Sequence, residues 1–145
     1  RLSEDDYRRD AGLFFGSVHA SINHMLLVEE IWRARLAEAP LSIKDLATEI
    51  EPDRVQLKAR MLASAQAWQT YVEQTEDGIL FADFDYRNLA GQPFRLPRSV
   101  IVHTMLTHGA NHCGQVSTAL TQLGQDAPVL DYPLFYFDYQ KTQES

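Results

Sequence analysis

The sequence predicts a mainly α-helical protein, a bundle of long helices with one small β-hairpin inserted ahead of the last of them. Three observations carry this expectation. Apolar residues recur at three- and four-residue spacing over long stretches, a single interruption alternates with period two, and 145 residues suffice for one domain, residues 1–145, without a linker. A chain of this length can bury roughly 70% of its extended surface, so its core needs no disulfide or metal staple.

The first long segment runs from about Leu13 to Ala39 and stops at Pro40, whose ring and missing N–H cannot continue a helix interior. Ser42, followed three residues later by Asp45, predicts a capped short helix reaching about Ile50. Pro52 suits the first turn of the next helix, from Asp53 to Gln74. There Val55, Leu57, Met61, Leu62, Ala65, Trp68 and Val72 make a core-facing stripe. Asp77-Gly78 breaks it, and Leu80, Ala82, Phe84 and Tyr86 then alternate; after an Asn88–Gly91 turn, Phe94 and Leu96 repeat the alternation. This predicts a β-hairpin whose second arm, flanked by Pro93 and Pro97, is an edge. From Ser99, read as a cap, a long helix carries Val100, Met105, Leu106, Val116, Leu120 and Leu123 to a stop at Gly124. The aromatic tail from Tyr132 to Tyr139 is expected to add a helical turn or two docked on the bundle. The chain opens at Arg1 without Met, so a fragment or processed form is expected, with an upstream helix completing a four-helix bundle. In that numbering the hairpin falls between the third and last long helices.

Composition removes several function classes. With 13 Lys and Arg against 20 Asp and Glu, the net charge of −7 offers no basic face for nucleic acid or for an anionic membrane surface. No apolar run approaches the roughly 20 residues that cross a bilayer. The single Cys113 excludes an intramolecular disulfide and is expected to be an ordinary packed thiol in a reducing cytoplasm.

All five histidines fall in the first and last long helices, two in the first and three in the last. His108 and His112 form H-x-x-x-H, which on a helix places two imidazoles on one face about 6 Å apart, able to converge on one cation. Two ligands hold a divalent ion weakly, so a third must come from another helix, and His24 is the chosen candidate. His19 and His103 each lie five residues before a chosen ligand, about 140° round the helix. They remain the alternatives. Gly109 and Gly114 are notable because glycine weakens a helix and usually has a packing or site-related reason. The residues alone leave open a structural reading in which the histidines fill polar niches.

Phe14–Leu36, FFGSVHASINHMLLVEEIWRARL, and Val102–Gly124, VHTMLTHGANHCGQVSTALTQLG, resemble the two signature helices of the DinB family and its YfiT-like relatives. His24 with Trp32 eight residues on, then His108, His112, Gly114 and Gln115, match the family pattern. The resemblance implies a DinB/YfiT-like four-helix bundle in which His24, His108 and His112 bind a divalent metal ion, nickel or zinc, with water completing the shell. Cys113 stands where the family often has Arg, and Glu29 where it often has Asp. Glu29 is expected to be solvated or salt-bridged, Gln115 to serve either an imidazole or helix packing, Trp32 and Trp68 to be core, and Asp83 and Asp85 to solubilise.

The leading functional expectation is a metal-dependent hydrolase or thiol S-transferase acting on a small molecule. The partners are then that substrate and a low-molecular-weight thiol, with a second copy forming a homodimer. The alternative is a non-catalytic, stress-related metal-binding bundle, again dimeric, and a third reading gives the histidines a structural role only. No residue announces itself as the general base.

Overall fold

The computed structural model describes residues 2–143. In chain order the elements are α1 (Glu4–Arg8), α2 (Val18–Leu36), α3 (Arg54–Gln74), α4 (Asp77–Leu80), β1 (Asp83–Arg87), β2 (Pro93–Pro97), α5 (Arg98–Gln122) and α6 (Tyr132–Gln143). Side-chain caps set several starts: the hydroxyl of Ser17 accepts from Ala20 N, and the carboxylate of Asp53 from Val55 N and Gln56 N. α2 ends where Glu38 takes a left-handed conformation, φ 52°, ahead of Pro40.

α2 is the central helix, packed against α1, α3 and α5. Its Leu26, Leu27 and Ile31 are buried, together with Leu57 of α3 and Ile101 of α5. A second cluster joins Leu2, Tyr7, Val18 and Ala119, so the chain ahead of α2 closes one end of the bundle. β1 and β2 pair antiparallel in the register Asp83↔Pro97 to Arg87↔Pro93. The carboxamide oxygen of Asn88 accepts from Ala90 N and Gln92 N, and Gly91 adopts φ 80°, a value glycine takes without steric cost. The hairpin meets α2 through Tyr86, whose ring lies 4.9 Å from that of Trp32. Among the described residues no helix is long and apolar enough to cross a membrane.

The mainly helical class, the three long helices and the hairpin match the expectation, while local features differ. The short helix expected from Ser42 to Ile50 does not form. Asp45 instead turns the chain locally, its carboxylate accepting from Ala47 N and its carbonyl from Thr48 N, so it competes with a helix rather than capping one. The first arm starts at Asp83, because Asp77-Gly78 begins the helical turn α4, which takes Leu80 out of the strand. α5 begins at Arg98 after Pro97, so Ser99 lies inside its first turn and is not the cap. On α3, Leu57 is buried but Val55 and Leu62 are largely exposed, so the stripe is only partly covered. The tail does form a helix, α6, yet Tyr132, Phe135, Tyr136 and Tyr139 are exposed rather than docked. Gly109 and Gly114 face open space, so no close approach explains either.

Candidate metal centre

His24 lies on α2, and His108 and His112 lie one turn apart on α5. Their ligand nitrogens all fall within 4.8 Å of one another. The His24 and His108 Nε2 atoms are 3.1 Å apart. Tetrahedral ligation with metal–nitrogen bonds near 2.0–2.1 Å places neighbouring nitrogens about 3.3 Å apart, a spacing close to that of the His24–His108 pair. His24 and His112 are buried and His108 half-buried.

The outer nitrogens of two rings are committed elsewhere. His24 Nδ1–H donates to the carbonyl oxygen of Leu46 at 2.9 Å, and His112 Nδ1–H donates to Gln115 Oε1 at 3.0 Å. Each bond fixes the tautomer and turns the Nε2 lone pair inward, the usual supporting arrangement for ligating histidines. Burial lowers the pKa of His24; the Leu46 hydrogen bond opposes the shift, and the nearby His112 adds to it. His108 is lowered to about 4, chiefly by burial and then by the other two imidazoles. Both are therefore neutral at pH 7, as ligation requires.

The chain itself holds this geometry. Asn23, fully buried beside His24, accepts through Oδ1 from Ile50 N and Glu51 N and donates through Nδ2 to the Glu51 carbonyl. One side chain of α2 thereby fastens the irregular segment that delivers the Leu46 carbonyl. Phe15, in the turn closed by a Leu13↔Gly16 bridge, stacks on His24 with ring centroids 3.8 Å apart and covers that side of the cluster. Gly16 takes φ 81° to make the turn.

A family model described as DinB family matches residues 1–143. The chain belongs to the DinB family. No curated protein and no solved structure matches it. The three motif histidines of this DinB-family chain are thus brought together by the fold.

His19 is buried elsewhere, edge-on to Tyr7 and within 3.0 Å of the Asn23 carboxamide nitrogen, while His103 is exposed. Gln115 serves an imidazole. Cys113 is half-buried, its pKa raised by burial and then by Glu29. Glu29 is not the solvated or ion-paired acid expected. It accepts a short hydrogen bond from the Ser64 hydroxyl, and burial raises its pKa against that bond and the Arg33 charge. Trp32 is a pocket wall and Trp68 a half-buried groove residue, so neither is core. Asp85 is exposed and paired with Arg95, in keeping with a solubilising role.

Beside the histidines lies a pocket of about 590 Å³ whose walls include Val28, Ile31, Trp32, Leu46, Tyr86 and Leu89. The sequence reading missed Phe15, Asn23, Arg35 and Tyr86. Asn23 and Phe15 carried a local signal, in the NH and FFGS segments; the meeting of Arg35 and Tyr86 depends on the hairpin folding back.

Proposed function

We propose that this protein is a divalent-metal-dependent enzyme acting on a small molecule, with nickel or zinc held by His24, His108 and His112. The observation that carries the reading is the convergence of three imidazoles, two with their outer N–H groups committed to Leu46 and Gln115. Three protein ligands leave a coordination position for substrate, which distinguishes catalytic from closed structural sites. The chemistry a bound ion supplies is Lewis acidity, which draws the pKa of a water or thiol ligand down towards 7.

Of the two reactions, hydrolysis and thiol S-transfer, the pocket favours the second. Its described lining contains no carboxylate to act as general base, whereas a thiol held as thiolate needs none to attack an electrophilic carbon. The pocket's apolar residues, Val28, Ile31, Trp32, Leu46 and Leu89, would border that carbon. A low-molecular-weight thiol is accordingly the second small-molecule partner, and nucleic acid is not a partner.

A homodimer accompanies this reading. The chain exposes 9682 Å² of surface, against about 7,500 Å² for a compact monomer of this mass. The excess lies partly on apolar side chains such as Leu62 and Phe135. The same exposure is what supports the alternative, a non-catalytic dimeric metal-binding bundle.

The deciding experiment is elemental analysis of protein purified without added metal, for wild type, His24→Ala and His108→Ala. One ion per chain, lost in both variants, is expected; unchanged stoichiometry in both variants refutes the centre. Screening thiol and ester substrates with and without chelator then separates enzyme from non-catalytic bundle, and activity indifferent to chelation counts against metal catalysis.

A further inference from the structure

Along α2, His24, Val28, Ile31 and Arg35 follow four-, three- and four-residue steps, so they share one stripe, and all four line the same pocket. The Arg35 guanidinium has two aromatic neighbours on one side: its Cζ lies 4.6 Å from the Trp32 ring centroid and 5.2 Å from that of Tyr86. It has no anionic neighbour among the described residues. Arg35 Nε is buried without a hydrogen-bond partner, and no carboxylate among the described residues lies within ion-pairing distance.

That omission is notable in a chain with seven more acids than bases. Arg60 has both Glu30 and Glu51, Arg8 has Glu4, and Arg95 has Asp85. Glu38 and Asp85 line the adjoining groove with Arg35, yet neither pairs with it. Arg33 Nε is also unpartnered, but its charge is felt by Glu29, four residues earlier on the helix. A guanidinium recognises anions through its in-plane N–H fork, and stacking on aromatic faces leaves that fork free.

We propose that the pocket takes a small molecule bearing a carboxylate, received by the Arg35 fork, while its other end reaches the three histidines; this rests on the metal-dependent reading above. The substrate class is thereby narrowed to apolar-bodied monocarboxylates with a metal-binding or electrophilic head. A carboxylate suits the site better than a phosphate dianion, because Arg35 is the only Lys or Arg of the described lining and the rest is mostly apolar. Eleven helical steps separate the Cα atoms of His24 and Arg35 by about 16 Å. Side chains on a helix lean towards its N-terminus, and that of Arg35 is longer than that of His24, so the guanidinium closes part of this distance. The preferred molecule spans that gap.

Calorimetric titration tests this with matched probes. The zinc-loaded protein is titrated with 6-mercaptohexanoate, 6-mercaptohexanol and 6-mercaptohexylphosphonate, and the metal-free protein with 4-phenylbutyrate and 4-phenylbutanol. The carboxylates are expected to bind at least tenfold tighter than the alcohols in both forms. Arg35→Gln and Arg35→Met should abolish the preference, and Arg35→Lys should keep part of it, with the cobalt(II) absorption spectrum of the centre unchanged in all three. Equal binding of acid and alcohol by wild type, or a preference that survives in Arg35→Gln, overturns the proposal. Phosphonate binding tenfold tighter than carboxylate overturns the assignment of carboxylate. Zinc binding without discrimination removes the Arg35 subsite alone; discrimination by metal-free protein that never binds zinc supports the subsite and removes the centre.

Discussion

Replacing Asn23 with alanine tests how the centre is built. Its carboxamide makes hydrogen bonds of 3.0 and 2.9 Å from Ile50 N and Glu51 N, one of 3.0 Å to the Glu51 carbonyl, and a 3.0 Å contact with His19 Nε2. Each buried hydrogen bond contributes about 1 kcal/mol net, and part of the loss is recovered when water reaches the freed backbone groups, so Asn23→Ala should destabilise the metal-free protein by about 3 kcal/mol. With a urea m-value of about 2 kcal/mol/M, the unfolding midpoint should fall by about 1.5 M. The functional effect follows from the same contacts. Unfastened residues 46–51 no longer hold the Leu46 carbonyl against His24 Nδ1, and losing such a supporting partner weakens metal binding by about 10- to 100-fold. Asn23→Asp keeps the Oδ1 acceptor but loses the donor to the Glu51 carbonyl and buries a charge, so it should not rescue either property. A variant within 0.3 M of the wild-type midpoint, with zinc affinity unchanged within twofold, would refute the assignment of this residue as the fastener.

Gln115→Leu should weaken zinc binding about tenfold with little change in folding, because it removes the acceptor for His112 Nδ1–H while an apolar side chain fills the space; equal affinity by competition titration refutes that role. Gly114→Ala should raise stability by up to about 1 kcal/mol, since an added Cβ meets nothing within 4 Å and the residue lies inside α5; a lower thermal midpoint would contradict it. The metal-free protein should lose stability as pH falls from 6.5 towards 4, because His24 and His108 have lowered pKa values in the fold. Between those limits the unfolded chain binds more protons, so stability is full above 6.5 and declines below it. For His108, a fall from 6.5 to about 4 sets an upper bound of roughly 3 kcal/mol, and solvent screening of this part-exposed ring makes the realised effect smaller. Glu29, whose pKa is raised, acts with the opposite sign, its contribution present at low pH and lost as pH rises above 4.5. Comparison with His108→Gln isolates the histidine effect, and an identical slope in the two proteins would refute it.

The long helices and the ligand set were legible because both depend on periodicity. Three- and four-residue spacing marks a buried face, and the i, i+4 spacing of His108 and His112 directs two rings to one place whatever surrounds them. The Ser42 segment misled because Ser and Asp satisfy a backbone in turns as readily as at helix starts. Which outcome wins depends on Asn23, roughly two dozen residues earlier, offering its carboxamide to Ile50 and Glu51. The pocket was illegible for a related reason. Trp32 and Arg35 are three residues apart on α2, but Tyr86 belongs to β1, and only the packing of the hairpin on α2 brings that second ring to the cation. The exposure of Val55 and Leu62 also could not be read from spacing, which shows that a face is apolar and not what covers it.

The position of Phe15 has a stereochemical consequence. Its ring stacks on His24 and is absent from the walls of the open pocket, which include His24 and His108. Approach from the Phe15 side is obstructed, so a planar electrophilic carbon with two inequivalent sides would be attacked preferentially from one of them. A reaction that creates an asymmetric carbon at this centre should then yield one enantiomer in excess, and trimming Phe15 to alanine should let the product drift towards a racemate.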